Sequence, residues 1–273
     1  MKFIEKLLNS SRNNHSLLCI GLDLDPALMP DVDILQFNLE IIDATSDLVC
    51  AYKPNLAFYE ALGVEGLVAM ERTIAHIPEH IPVIGDAKRG DIASSSKAYA
   101  KALFEIFGFD AVTVNPYLGH DSLAPFIDYA DKGVLVLCRT SNPGASDFQD
   151  SVCIEPGGDG STRPLFELVA LKALEWNTNG NIGLVVGATY PEQLRKVREL
   201  CPAMPLLIPG VGTQGGDLEE VVKYGVDAGG ERAIINCSRQ ILYASGEVDF
   251  ALAARREALR IRDHINRYLS TAR

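Results

Sequence analysis

The segment 82–91, Pro-Val-Ile-Gly-Asp-Ala-Lys-Arg-Gly-Asp, brings three charged side chains to the end of one short apolar run. We predict a buried strand that ends in Asp86 and Lys88, whose side chains share one face because strand side chains alternate. The apolar residues after Gly90 recur at helical spacing, so Asp91 lies at the N-terminus of a predicted helix. Asp91 could simply cap that helix, and Asp86 and Lys88 could form a local ion pair. Burying so much charge is costly unless it is paired and used, so the three together favour a site.

Charges also end the two apolar runs that precede this segment. Asp23 follows the run that begins at residue 16, and Lys53 ends the run that begins at residue 49. The chain alternates eight strand-like runs with helical patterns over 273 residues. This count predicts an α/β fold of the (β/α)₈ TIM barrel type, which typically has about 250 residues. Active sites of such barrels lie at the C-terminal ends of the strands, so the four charged strand-end residues are expected to share one site.

We expect one domain over residues 1–273, because no segment has the composition of a linker. Strands are predicted at 16–23, 49–53, 82–88, 111–115, 133–138, 182–187, 206–208 and 233–236. Helices are predicted at 34–48, 62–77, 91–107, 122–130, 165–176, 191–200 and 217–224. A final helix has an apolar face that suits closing the bottom or the side of the barrel, formed by Phe250, Ala254, Ala258, Ile261, Ile265 and Tyr268.

A long irregular segment, at about 139–163, interrupts this alternation. It is rich in Gly, Pro, Ser and Asp, and it is longer than most connections in a compact domain. Such a loop is either a mobile lid or a disordered insert. Its place after a strand favours the lid.

A glycine-rich turn, Pro-Gly-Val-Gly-Thr-Gln-Gly-Gly-Asp at 209–217, follows the seventh predicted strand. Its spacing matches the dinucleotide-binding fingerprint, but that fingerprint is expected after the first strand of its fold. In a barrel, phosphate is commonly held by the loops after strands seven and eight. The eighth strand leads into Ser238 and Arg239, which offer helix-start amides and a guanidinium. A plain glycine turn with a solvated Arg is the alternative, but two such features in adjacent loops favour a phosphate site.

The overall charge argues against nucleic acid or an anionic membrane as the main partner. The 25 Lys and Arg residues against 36 Asp and Glu residues give a net charge of −11. Six cysteines without a Cys-x-x-Cys pair are expected to be small buried side chains in a reducing compartment. No signal peptide and no membrane-length apolar run are evident, so the predicted location is cytoplasmic.

The motif Asp86-x-Lys88-x-x-Asp91, with Lys53 and Asp23 on the preceding strands, resembles that of the orotidine 5′-phosphate decarboxylases. The similarity covers most of the chain. The motif Asp-Ala-Lys-Arg-Gly-Asp-Ile and the long loop after strand five resemble those of the longer-chain bacterial branch of that family. The segment 148–160 has no counterpart in the shorter members.

This resemblance implies loss of CO₂ from orotidine 5′-phosphate (OMP), which gives UMP in de novo pyrimidine biosynthesis, without a metal or an organic cofactor. Lys88 would stabilise the carbanion and protonate it, and Asp86 would lie beside the substrate carboxylate. The alternating charges of Lys53, Asp86, Lys88 and Asp91 would keep one another ionised. Asp91 would enter the site from the partner subunit of a homodimer.

The same resemblance implies a set of residues that bind the nucleotide. Asp23 and Lys53 would bind ribose hydroxyls, and Ser141, in the segment Thr-Ser-Asn-Pro-Gly at 140–144, would contact the pyrimidine. Ser95 keeps the hydroxyl of a Thr that the family often has at this position. The phosphate would be held by residues of the glycine-rich turn and of the eighth strand end, namely Pro209, Gln214, Gly215, Ser238 and Arg239.

Three other functions stay open on the sequence. A related sugar-phosphate decarboxylase or hexulose-phosphate synthase uses a similar motif with Mg²⁺. A Schiff-base aldolase would use Lys88 or Lys53 as a nucleophile. A regulatory module would bind the nucleotide and release no CO₂. The pair His76 and His80 offers no metal site, because Pro78 breaks the helix between them, and both are expected on the surface.

Overall fold

Eight parallel strands form the central sheet in the computed structural model, which describes residues 1–154, 160–212 and 216–272. The strands are β1 (Leu18–Leu22), β2 (Ala51–Pro54), β3 (Ile84–Arg89), β4 (Ala111–Val114), β5 (Gly133–Arg139), β8 (Ile182–Val186), β9 (Leu206–Pro209) and β10 (Ala233–Cys237). They are hydrogen-bonded in the order β2-β1-β10-β9-β8-β5-β4-β3. Tyr52 bridges to Val83 and Asn55 bridges to Asp86, which brings β2 beside β3 and closes the sheet. The predicted (β/α)₈ barrel is therefore confirmed.

Helices alternate with the strands and cover the outside of the barrel. The helices are α1 (Phe3–Asn13), α2 (Ile34–Thr45), α3 (Leu56–Glu60), α4 (Gly63–His76), α5 (Ala93–Lys101), α6 (His120–Ile127), α7 (Leu165–Trp176), α8 (Pro191–Leu200), α9 (Leu218–Gly225), α10 (Arg239–Leu242) and α11 (Phe250–Ala272). Their apolar faces pack on the outward side chains of the strands in one large buried cluster. Most predicted element ends lie within about two residues of the observed ones. The predicted helix 91–107 instead ends as α5 and continues as a π-helical turn, Ala102–Ile106.

The N-terminal end of the barrel is closed by α1, a helix that was not predicted from the sequence. Phe3 and Leu7 of this helix are buried among the inward-facing side chains of all eight strands. The Phe3 amide donates to Asp131 O at 2.8 Å, just before β5 begins. The final helix α11 lies at the side of the barrel, where Phe250 stacks on Phe37 of α2 at 5.1 Å. Of the two places expected for α11, the side is therefore the observed one.

The described part of the long loop has regular structure. It contains a 3₁₀ helix, Pro143–Asp147, and a hairpin of β6 (Val152–Ile154) and β7 (Thr162–Pro164). Residues 155–159 of this loop lie outside the described residues. The hairpin contradicts the expectation of a wholly irregular segment, while closure of the loop over a ligand stays a prediction.

The cysteines and the two histidines lie mostly where the sequence predicts them. Five of the six free cysteines are buried as predicted, but Cys153 is only half-buried because it lies on the hairpin strand β6. His76 and His80 are on the surface, and His76 contacts Asp43 at 2.7 Å. Within the described ranges, no helix combines the length and apolar character needed to cross a membrane.

Candidate active site

A cavity of about 490 Å³ opens at the C-terminal ends of the barrel strands. This volume lies within the roughly 300–1,000 Å³ that is usual for small-molecule sites. Eight of the residues proposed from the sequence line it, namely Asp23, Lys53, Asp86, Lys88, Ser141, Pro209, Ser238 and Arg239. The parallel strands bring together side chains that are more than 200 residues apart in the chain, because all their C-terminal ends meet at one rim.

Lys53 is buried at the base of the charged cluster, with a side chain that is only 3% exposed. Its ammonium lies 3.2 Å from Asp86 Oδ2 and 3.8 Å from Asp23 Oδ1. Burial alone would lower the pKa of Lys53, but the charges of Asp86 and Asp23 more than offset it and raise that pKa above its ordinary value. Lys53 is therefore a fixed buried cation.

Asp86 is the carboxylate on which the cluster converges. Its Oδ1 accepts from Lys88 Nζ at 2.5 Å and from Thr113 Oγ1 at 2.9 Å, while Oδ2 accepts from Lys53. Burial would raise the pKa of Asp86, but the Lys53 and Lys88 charges and the hydrogen bonds from Lys88 and Thr113 hold it far below its usual range. The side chain is thus an anion held between two cations.

Lys88 stands at the cavity mouth, and half of its side chain is exposed. Its backbone has φ of 48°, in the left-handed region that non-glycine residues seldom adopt. The strand is irregular at this point, because the pairing of β3 with β4 shifts register between Gly85 and Arg89. Strain of this kind is often found at functional sites.

Asp91 and Ser95 do not join the other proposed residues. Neither side chain lines the cavity of its own chain, and Ser95 is exposed. Asp91 is also not the helix cap: α5 has Ile92 at its N-cap position, and among the described residues Asp91 Oδ1 accepts only the Ile92 amide, at 2.7 Å. The proposed residues Gln214 and Gly215 lie outside the described residues.

Ser141 lines the cavity from the segment that follows β5, residues 140–150, which we call the strap. A Cβ at Gly187 would lie 2.7 Å from the Ser141 backbone nitrogen, so only glycine lets the two loops approach so closely. Arg139 anchors the strap, because its buried guanidinium makes two hydrogen bonds of 2.9 Å to Asp150. The same guanidinium lies 3.7 Å from the centre of the Tyr190 ring. Ser141 is thus fixed on a rigid support.

The C-terminal ends of β9 and β10 form a further wall of the cavity. Gly210 has φ of 101°, a left-handed conformation that suits glycine, and it follows Pro209 at the rim. Ser238 and Arg239 lie beside this turn, and Arg239 is exposed with no ion pair to any described carboxylate. The helix α10 that begins here has four residues. An unpaired guanidinium beside a glycine turn can hold an anion.

A sequence profile of the Orotidine 5'-phosphate decarboxylase / HUMPS family matches residues 16–254, a span that contains this entire cavity. The chain belongs to this family. It is 54% identical over 263 residues to an orotidine 5′-phosphate decarboxylase of Herpetosiphon aurantiacus, covering 94% of this chain and 95% of that protein. It is 53% identical over 269 residues to one of Dehalococcoides mccartyi, covering 98% of both chains. The resemblance seen in the sequence is confirmed.

Solved structures show the same family likeness. The OMP decarboxylase of Leishmania donovani superposes with a TM-score of 0.83 and 39% sequence identity, covering 97% of this chain and 99% of that one. A putative orotidine 5′-phosphate decarboxylase of Streptomyces avermitilis gives a TM-score of 0.84 at 29% identity, covering 98% of this chain and 96% of that one.

Several residues that line the cavity were not predicted from the sequence. The polar ones that line the cavity are Asn55, Thr113, Gln149 and Asn236, and an apolar wall is formed by Leu137, Val185 and Leu207. Asn55 and Asn236 lie at strand ends, which is the signal that located Asp23 and Lys53 and could have located them too. Asn236 Oδ1 is buried without a hydrogen-bond partner among the described residues, as expected of a group that meets a ligand.

Proposed function

We propose that the protein decarboxylates orotidine 5′-phosphate to UMP, as a carboxy-lyase of pyrimidine biosynthesis. The observation that supports this most directly is the chain of ion pairs Lys53–Asp86–Lys88. It places the Lys88 ammonium at the mouth of a cavity large enough for a nucleotide. The names of the similar proteins from Herpetosiphon aurantiacus and Dehalococcoides mccartyi support the same substrate.

The chemistry follows from where the charges lie. When the bond between the ring carbon and the carboxylate breaks, CO₂ leaves and the electron pair stays on the ring carbon. The Lys88 ammonium stabilises this developing negative charge and then transfers a proton to the same carbon. Asp86 keeps Lys88 charged and in place, and the neutral amine takes a new proton from water at the open mouth. No described trio of His, Cys, Asp or Glu side chains is grouped so as to bind a metal ion.

The remaining walls suit the rest of the nucleotide. Arg239, Ser238 and the turn after Pro209 bind the phosphate, and Ser141 on its rigid strap binds the pyrimidine. Asp23 and Lys53 bind the ribose hydroxyls between them. Asp23 Oδ1 is buried without a hydrogen bond to any described group, and a ribose hydroxyl would satisfy it. Phosphate binding far from the reacting carbon can supply energy for the chemical step.

We further propose that the working unit is a homodimer in which Asp91 completes the site of the partner subunit. Asp91 and Ser95 lie outside their own cavity, although the family motif includes Asp91. Exposed apolar side chains occur just after both adjacent strands: Ile92 follows β3, and Tyr117, which is 81% exposed, and Leu118 follow β4. Exposed apolar side chains at the ends of adjacent strands suit a surface that a partner covers. A two-fold axis here would bring each Asp91 towards the other subunit's Lys88.

The direct test is loss of orotidine 5′-phosphate absorbance, with UMP identified as the product by chromatography. Turnover should persist after exhaustive treatment with EDTA. EDTA-sensitive turnover of a sugar phosphate, with no UMP formed, would instead favour the Mg²⁺-dependent alternative. A substrate adduct trapped by borohydride would indicate the Schiff-base aldolase. Binding of UMP without any turnover of orotidine 5′-phosphate would indicate a regulatory module.

A further inference from the structure

The pairing of β3 with β4 is broken at the catalytic lysine. Gly85 pairs with Val112 and Arg89 pairs with Val114, so three residues of β3 stand opposite Thr113 alone. A bulge of this kind removes ladder hydrogen bonds and re-aims the side chains of the bulged strand. Asp86 and Lys88 both belong to the bulge, so their backbones are not paired with β4.

The Thr113 hydroxyl takes the place of the missing ladder contacts. Its oxygen accepts the Lys88 backbone N–H at 2.9 Å, and its proton is donated to Asp86 Oδ1 at 2.9 Å. Thr113 is only 1% exposed, so water cannot easily replace this hydroxyl. One hydroxyl group therefore fixes both the strained backbone of Lys88 and the carboxylate that pairs with its ammonium.

We propose that Thr113 is a positioning residue for the reaction: its hydroxyl holds Lys88 in its left-handed conformation and Asp86 in the orientation that receives Lys88 Nζ. This inference rests on the proposed function, in which Lys88 is the proton donor. Thr113 itself need not touch the reacting carbon. Without its hydroxyl, the partly buried Lys88 N–H loses its acceptor. The backbone can then relax towards negative φ, which moves the ammonium away from its place over Asp86.

The test compares Thr113→Val, which keeps the shape and removes the hydroxyl, with Thr113→Ser, which keeps the hydroxyl. We expect kcat to fall at least tenfold in Thr113→Val, while KM for orotidine 5′-phosphate and Kd for UMP stay within about threefold. Thr113→Ser should recover most of the lost kcat. The matched control is Thr73→Val, because Thr73 is equally buried and hydrogen-bonded, to Ala69 O at 2.7 Å, but does not line the cavity. It should lower thermal stability and leave kcat unchanged.

Two kinetic results would overturn this role. A kcat of Thr113→Val within twofold of the wild type would show that the hydroxyl does not matter to the reaction. Parallel loss of kcat, UMP affinity and folding in both Thr113 variants would show a purely structural residue.

A crystal structure of Thr113→Val gives a readout that does not depend on turnover. We expect Lys88 to leave its positive φ and its amine to leave Asp86 Oδ1; an unchanged Lys88 would overturn the positioning role. Absence of turnover in the wild-type protein would instead overturn the proposed function, and the crystallographic comparison would still decide whether Thr113 holds Lys88.

Discussion

Lys88 Nζ lies 2.5 Å from Asp86 Oδ1, while the opposite oxygen of the same carboxylate faces the buried Lys53. One anion therefore serves two cations of different character, since Lys53 is almost fully buried and Lys88 is half-exposed. Lys53 secures the charge of Asp86 at the base of the cavity, and Lys88 is the half-exposed ammonium at its mouth.

Replacing Lys88 should remove turnover without removing binding. The Lys88→Ala protein lacks the proton donor and the cation that stabilises the carbanion, so we expect kcat to fall by at least about a thousandfold. UMP affinity should change little, because the other walls of the cavity are intact. Steady-state kinetics and calorimetric titration measure the two effects. Lys223→Ala, an exposed lysine on α9, is the control, and more than trace activity in Lys88→Ala would exclude Lys88 as the acid.

The shared-site proposal can be tested by mixing two inactive proteins. Lys88→Ala and Asp91→Ala should each be nearly inactive, yet regain activity when they are unfolded and refolded together. Random pairing gives mixed dimers, in which one site has both wild-type residues, so about a quarter of all sites should work under two-fold symmetry. Each protein refolded alone is the control. If the mixture is as inactive as its parents, Asp91 does not serve the partner subunit.

Arg239 should matter only for substrates that have a phosphate. We expect Arg239→Ala to raise KM for orotidine 5′-phosphate by roughly 10- to 100-fold, since a hydrogen bond to a charged group is worth about 1.5–3 kcal/mol. The slow reaction of orotidine, which lacks the phosphate, should be almost unaffected. Arg267→Ala, on the exposed face of α11, should change neither. Equal losses on both substrates would assign Arg239 to the base or to the fold.

The ionisation of Asp86 should make the free energy of unfolding depend on pH in the acid range. Folding lowers the pKa of this group below its ordinary value of 3.8, so its ionised form stabilises the fold above about pH 4, and that contribution is lost as the pH falls towards the folded-state pKa. The difference in unfolding free energy between wild type and Asp86→Asn should therefore be largest near pH 7 and shrink below pH 3.8. Urea unfolding at several pH values measures it, with Asp128→Asn, an exposed residue, as the control. A difference that is constant from pH 7 to pH 3 would contradict the cluster's electrostatics.

The strap after β5 should depend on Arg139. We expect Arg139→Met to lower the unfolding free energy by roughly 3 kcal/mol, at the lower end for a broken buried pair, because Asp150 is 35% exposed and can be hydrated. KM should rise because Ser141 loses its rigid support. Arg195→Met breaks exposed pairs on α8 and should cost less than about 1 kcal/mol with no change in KM. An unchanged KM in Arg139→Met would show that the strap does not contribute to substrate binding.

The residue pattern by itself determined the barrel and most of its charged centre. Alternating strand and helix periods over 273 residues fix the fold class, because parallel strands joined by helices must place their C-terminal ends at one rim. Asp23, Lys53, Asp86 and Lys88 were therefore predictable as neighbours from their strand-end positions alone. The same logic located Ser238 and Arg239 beside the glycine-rich turn.

Only the tertiary structure decided what happens beyond the strand ends. Strand periodicity gives the face of a side chain but cannot show where a ladder loses register, because the bulge in β3 depends on its pairing with β4, some 25 residues away. The bulge gives Thr113 its two hydrogen bonds, and Asp91, which follows it, does not line the cavity of its own chain. The burial of α1 at the barrel's base was equally hidden, since only two of its side chains, Phe3 and Leu7, enter the core between the strands. Contacts between distant segments fix these features, and local sequence does not encode such contacts.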